Sequence, residues 1–161
     1  MMPFVQSTAS NKIEITHVVI DSTKPFANVR ALLEALIPPI DPEILRPGIG
    51  DLKQRLEALP ELVLFAERDH GLLLGIYGQQ RQAVQYEIGN PLTASTMTRY
   101  GLAAGLYAPL RVMLYGNDDG SSRFEYDLPS SLFGQFGDER ITDVARGLDS
   151  ALYGALTAAA G

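Results

Sequence analysis

Few side chains in this sequence are able to carry acid–base chemistry, and the two histidines come first. His70 lies between Asp69 and Gly71 in what reads as a tight connection. Histidine titrates near neutrality, so His70, steered by Asp69 or another carboxylate, is the candidate general base. A turn histidine bonded to its own loop is the competing reading. His17 falls in a β-branched run on the same face as Ile13 and Ile15, and reads as a core or edge histidine with its hydrogen bonds met. Two histidines so far apart, without Asp or Glu at helical ligand spacing, give no metal site. Cysteine is absent. That excludes a thiolate zinc site, an iron–sulfur cluster, a disulfide scaffold and a cysteine nucleophile.

Other signatures are equally spare. Thr93, Ser95 and Thr96, and Ser130 with Ser131, lie outside any G-x-S-x-G pattern and read as cap or turn residues. Gly71, Gly75 and Gly78 match neither a dinucleotide fingerprint nor a Walker loop. Gly134 and Gly137, ahead of the last helix, read as loop hinges, with an anion approach to free amides as the alternative. No cofactor and no metal are expected.

Tyrosine and arginine remain. Tyr77, Tyr86, Tyr100, Tyr107, Tyr115 and Tyr126 fall in the sheet-forming part of the chain, with Arg99, Arg111 and Arg123 among them. A tyrosine offers an apolar body and a polar tip, which suits a ligand cleft or a subunit interface. Arg111 sits inside a strand and needs a carboxylate if covered; Glu87, Glu125 and Asp127 are the available partners, with an anionic ligand as the alternative. The candidate ligand-binding set is Tyr86, Asn90, Arg99, Tyr107, Arg111 and Tyr126.

The elements that must position these residues follow from periodicity. Residues 13–21 form a first strand. Phe26, Val29, Leu33, Leu36 and Ile37 make the apolar stripe of a helix that Ser22 or Thr23 caps and Pro38-Pro39 ends. Residues 38–50 are a proline-rich loop, and Asp51 is placed to cap a short helix over 51–59. Runs at 62–67, 72–77 and 83–88 read as strands, with 91–100 as a short helix. Residues 110–115 and 123–128 form a hairpin. Asp138 caps a long final helix with Ile141, Val144, Leu148, Leu152 and Leu156 on one side. The fold class is α+β, with a mainly antiparallel sheet and helices on one face.

With 161 residues the chain suits one domain, taken as 13–158 behind a polar tail at 1–12. A net charge of −6 and the lack of a Lys/Arg cluster argue against nucleic acid and anionic membranes. The opening residues show no signal-peptide pattern and no apolar run spans a bilayer, so a cytoplasmic protein is expected.

Several short words, in order, resemble the DUF302 family: Asp69-His70-Gly71; Tyr86-Glu87-Ile88-Gly89-Asn90-Pro91; Leu106 to Val112; Tyr126 to Ser131; and Gly134-Gln135-Phe136-Gly137. The likeness spans most of residues 13–155. It implies a β-α-β(4)-α order with a curved antiparallel sheet of about five strands, similar to TATA-box-binding-protein-like folds, and a homodimer. The helix at 51–59 is then an insertion. Many relatives carry cysteine where this chain has Gly89, so a thiol role does not transfer. DNA binding does not follow from such a fold, because fold does not imply function.

Two readings emerge. One is a non-enzymatic homodimeric module holding a small apolar or anionic molecule, or a protein partner, on the sheet. The other is an enzyme with His70 as base and Arg111 or Arg99 holding an anionic substrate.

Overall fold

The structure is a computed structural model that describes residues 6–47 and 50–161. The first five residues of the expected tail, and Gly48 and Ile49 of the proline-rich loop, lie outside the described residues. In chain order the elements are β1 (His17–Ser22), α1 (Phe26–Leu36), α2 (Leu52–Glu57), β2 (Val63–Asp69), α3 (His70–Leu74), β3 (Ala83–Gly89), α4 (Pro91–Thr98), β4 (Leu110–Gly116), β5 (Ser122–Asp127), α5 (Pro129–Phe133) and α6 (Glu139–Ala160). Short 3₁₀ turns lie at Pro42–Leu45, Gly75–Tyr77, Leu102–Tyr107 and Gly134–Phe136.

Among the described residues the strands form one antiparallel sheet in the order β1-β5-β4-β3-β2. Because side chains alternate along a strand, register decides which residues share a face. Tyr86, Val112, Tyr126 and Val18 are aligned across four strands on one face. That face carries Val84, Ile88, Leu114 and Phe124, all at most 2% exposed. Helices α1 and α6 cover it with Phe26, Val29 and Leu33, and with Ile141, Ala145, Leu148, Leu152 and Leu156. Each large apolar side chain closed in this way contributes roughly 1.5–3 kcal/mol against its exposed state. Among the described residues no element covers the other face.

The helix ends explain the boundaries. Asp138 caps α6 as expected, its Oδ1 accepting from the Arg140 amide at 2.9 Å. Elsewhere the caps differ from expectation. Pro25 holds the N-cap position of α1 without a side-chain bond, while Ser22 Oγ donates to the Ala160 carbonyl at 2.6 Å and ties β1 to the end of α6. Asp51 precedes α2 in the left-handed region (φ 62°) and makes no capping bond.

Two strand expectations are corrected. Strand β1 begins at His17: residues 13–16 are exposed, and only the Thr16 carbonyl reaches on along the ladder, accepting from the Leu128 amide at 2.8 Å. The run 72–77 is helical, passing from α3 into a 3₁₀ turn. Asp69 starts it by accepting from the Leu72 amide at 2.9 Å. Gly71 makes the packing possible: a Cβ there would lie 2.2 Å from the Arg81 carbonyl oxygen.

Candidate functional site

At one end of the sheet, β3 stops at Gly89 and the chain turns sharply into α4. Asn90 makes the turn. Its Oδ1 accepts from the amides of Leu92 (2.9 Å) and Thr93 (3.2 Å), and its Nδ2 donates to the Pro60 carbonyl (3.0 Å). Pro91 occupies the first helical turn, where a missing N–H costs nothing. Asn90 itself therefore fills the anion-binding potential of this helix start.

The chain returns through the 3₁₀ turn Leu102–Tyr107 and a cis Ala108–Pro109 bond to β4. Between these segments lies a pocket of about 290 Å³. Its walls are mostly apolar: Phe65, Ala94, Met97, Pro109, Leu110, Phe133 and Leu148. Two polar side chains on the lining are committed already, Asn90 as above and Ser95, whose Oγ donates to the Leu92 carbonyl at 2.6 Å. Gly89 keeps the mouth open, since a Cβ there would sit 3.7 Å from Phe65 Cε2 and 3.9 Å from Pro109 Cα. Phe65 stands where β2 breaks register against β3, between Leu64 and Ala66. Such a bulge re-aims a side chain, here onto the pocket. Tyr107 supports the opposite wall, packing edge-on against Phe133 with ring centres 6.2 Å apart.

The uncovered sheet face is chemically different. Register sets His17, Asp127, Glu125, Arg123, Arg111, Met113, Tyr115, Glu87, Gln85 and Arg68 on it. His17 is gripped at both ring nitrogens, Nε2 by Glu125 Oε1 at 2.8 Å and Nδ1 by Asp127 Oδ1 at 3.0 Å. Hydrogen bonds to Glu125 and then Asp127 raise its pKa above the usual 6.5. The Tyr115 hydroxyl donates to the other oxygen of Glu125, and with His17 it lowers that carboxyl's pKa. Arg68 bonds Glu87 at 2.6 Å and Arg123 bonds Asp21 at 2.6 Å. Arg111, aligned with Glu87 across the ladder, has no ion-pair or hydrogen-bond partner for its guanidinium among the described residues.

The remaining sequence candidates are scattered. Tyr86 is fully buried on the covered face, and its hydroxyl donates to Glu34 Oε1 at 3.1 Å. Burial, then the adjacent Glu34, pushes that hydroxyl's pKa up. Arg30 links Glu34 (2.9 Å) to Glu67 (3.1 Å) around it. Tyr126 is 3% exposed on the same face, and its buried hydroxyl has no partner among the described residues. Arg99 stacks on Tyr100, 4.8 Å from the ring centre, and Arg140 lies over the same ring at 3.9 Å. His70 is exposed at the start of α3, and Asp69 spends its carboxylate on capping that helix. The expected set thus divides: Asn90 lines the pocket, Tyr107 braces its wall, Arg111 lies on the open face, Arg99 stacks on Tyr100 outside the pocket lining, and Tyr86 and Tyr126 belong to the core. Sequence reasoning missed Phe65, Pro109 and the His17 carboxylate pair. Only the bulge and the strand register bring these together.

Among the described residues no helix is long and apolar enough to cross a membrane. No group of three or more His, Cys, Asp or Glu among them could hold a metal ion.

A single antiparallel sheet with helices on one face and an apolar pocket at its end defines a two-layer α+β domain. The chain belongs to the DUF302 family, a domain of unknown function, whose profile matches residues 49–159. The matched range includes α2. A similar solved structure is the crystal structure of an uncharacterized conserved DUF302 protein from Bacillus stearothermophilus. It has a TM-score of 0.66 and 18% sequence identity, covering 89% of this chain and 97% of that one. No curated protein matches the chain in sequence.

Proposed function

We propose that this protein is a non-enzymatic, homodimeric binding module that holds a small apolar molecule in the pocket between α4 and the start of β4. The pocket itself carries the reading. It is concave and walled by aliphatic and aromatic side chains, with a few hydroxyls at its edge, as small-molecule sites generally are. At about 290 Å³ it suits a compact ligand rather than an extended lipid. The enzymatic alternative asks His70 to share a cleft with Arg99 or Arg111, yet these three stand on separate elements, at the start of α3, after α4 and in β4.

Native mass spectrometry of protein purified from its own host tests the reading. A small mass that is retained under gentle conditions and lost on denaturation supports it. Loss of that mass in Ala94→Phe, which fills the pocket, assigns the site. A clean apo spectrum in both proteins refutes it.

For the dimer, the support is an exposed apolar turn. Leu72, Leu73, Ile76 and Tyr77 are 56–79% exposed side by side. A patch of that kind is uncommon on a monomer. Two copies meeting there would bury on the order of 1,000 Å², the lower range for a specific interface. Light scattering should report a dimer that Ile76→Glu converts to monomer. A monomeric wild type removes this part of the proposal.

A further inference from the structure

We propose that the open face of the sheet carries a second site, separate from the pocket, in which Arg111 holds the carboxylate of a small planar molecule. The argument begins with what surrounds Arg111. Glu87 stands directly across the ladder, but its Oε1 takes the Arg68 guanidinium at 2.6 Å. Asp127, on the far side, is bonded to His17 at 3.0 Å. Both flanking carboxylates are engaged elsewhere, and among the described residues nothing fills the donors of the guanidinium between them. An arginine fork matches a planar two-oxygen group and binds it with two parallel N–H···O bonds.

The surroundings define the rest of the ligand. Arg111 lines a concavity of about 390 Å³ shared with Gln85, Met113, Tyr115 and His17. Met113 and Tyr115 follow Arg111 on the same face of β4 and offer a thioether and a ring as an apolar platform. Sulfur and aromatic rings both pack well on a flat π-system. Gln85, opposite Met113, supplies an amide with no hydrogen-bond partner among the described residues. Charge limits the ligand to a monoanion. Arg68 pairs with Glu87 and His17 bonds Glu125 and Asp127, which leaves Arg111 as the one unpaired cation of this concavity among the described residues; a single carboxylate matches it, while a phosphate dianion would bring a second negative charge beside three carboxylates. The concavity favours a small molecule over the flat surface of a protein partner.

Methionine methyl groups separate the two sites in one spectrum, because Met97 lines the pocket and Met113 the open face. Protein labelled with ¹³C at the methionine methyls is titrated with sodium benzoate, with sodium chloride as the ionic-strength control. A saturable shift at Met113, with Met97 unmoved, is the expected result. Arg111→Gln should weaken that binding by about tenfold or more, and Arg111→Lys by nearly as much, since an ammonium lacks the fork. Inorganic phosphate should bind more weakly than benzoate. The proposal is overturned if Met113 shows no saturable shift, if Met97 moves instead, or if Arg111→Gln keeps wild-type affinity. It is also overturned if that variant turns a dimer into a monomer, because Arg111 would then be serving the partner copy. The wild-type titration decides the matter alone should a variant misfold.

Discussion

The two faces of the sheet are made from alternate residues of the same strands and do opposite things. On β4, Val112 and Leu114 are at most 1% exposed beneath the helices, while Arg111 between the strand's apolar residues is exposed. On β5, Phe124 is closed off, and Glu125 beside it reaches across to His17 and Tyr115. The covered face is packed with apolar volume that nothing can replace cheaply. The open face is a network of exposed ion pairs, each worth little to stability and therefore free to vary with function.

Substitutions sharpen that contrast. Leu114→Ala should lower the free energy of unfolding by about 2–5 kcal/mol, whereas Met113→Ala, one residue along, should cost less than about 1 kcal/mol. Urea denaturation compares them directly, and equal costs would mean that the open face is covered in solution. Gly71→Ala should also be severe, about 2 kcal/mol or more, because the new methyl meets backbone rather than a movable side chain. Gly89→Ala, with only ordinary contacts ahead of it, should be near neutral and serves as the control.

The buried tyrosines give a subtler test within the covered face. Tyr86→Phe removes a hydroxyl that bonds Glu34 and should cost about 1 kcal/mol. Tyr126→Phe removes one that is buried without a partner among the described residues, so it should leave stability unchanged or raise it by up to ~1 kcal/mol. If both lose the same amount, an ordered water satisfies Tyr126 in solution.

The smallest expected effect is on pH. The folded pKa of His17 is raised, so its pairing with Glu125 and Asp127 contributes fully below the unfolded value of 6.5. The contribution is lost as pH rises through the higher folded value. With the side chain half exposed, solvent screening holds it to a few tenths of a kcal/mol in order of magnitude. An NMR titration should place the His17 midpoint above 6.5, and Glu125→Gln should bring it down. A wild-type midpoint below 6.5 would show the ring free of both carboxylates.

Much of this architecture is legible from residue patterns. The alternation of Val84, Tyr86 and Ile88 against Gln85 and Glu87 marks a half-covered strand, and the structure has it so. The stripe along α6 and its Asp138 cap are also plain in the sequence. The run 72–77 misleads because Leu, Ile and Tyr suggest a strand, yet these side chains are exposed and serve no core. The signal that does decide it is the capping carboxylate of Asp69, three residues before Leu72. The same alternation shows Tyr86 and Arg111 on opposite faces only once β3 and β4 are in register. A list of tyrosines and arginines holds no register, so it cannot separate core from site. The pocket is less legible still, since it depends on a bulge at Phe65 and on the return path of the chain through Pro109.

The parallel bridge between Pro39 and Leu64 bears on how the molecule avoids its own kind. Ile40 donates to the Leu64 carbonyl and the Leu64 amide donates to Pro38, both at 2.9 Å, which occupies the outer rim of β2 near its start. Beyond it, Glu67, Arg68 and Asp69 place charge along the rest of that strand. A stray strand from a crowded neighbour therefore meets a bridged start and a charged remainder on this side. Residues 38–40 thus cover the start of that edge strand. Deleting residues 38–40 should show their worth as turbidity on warming, well before the fold itself is lost.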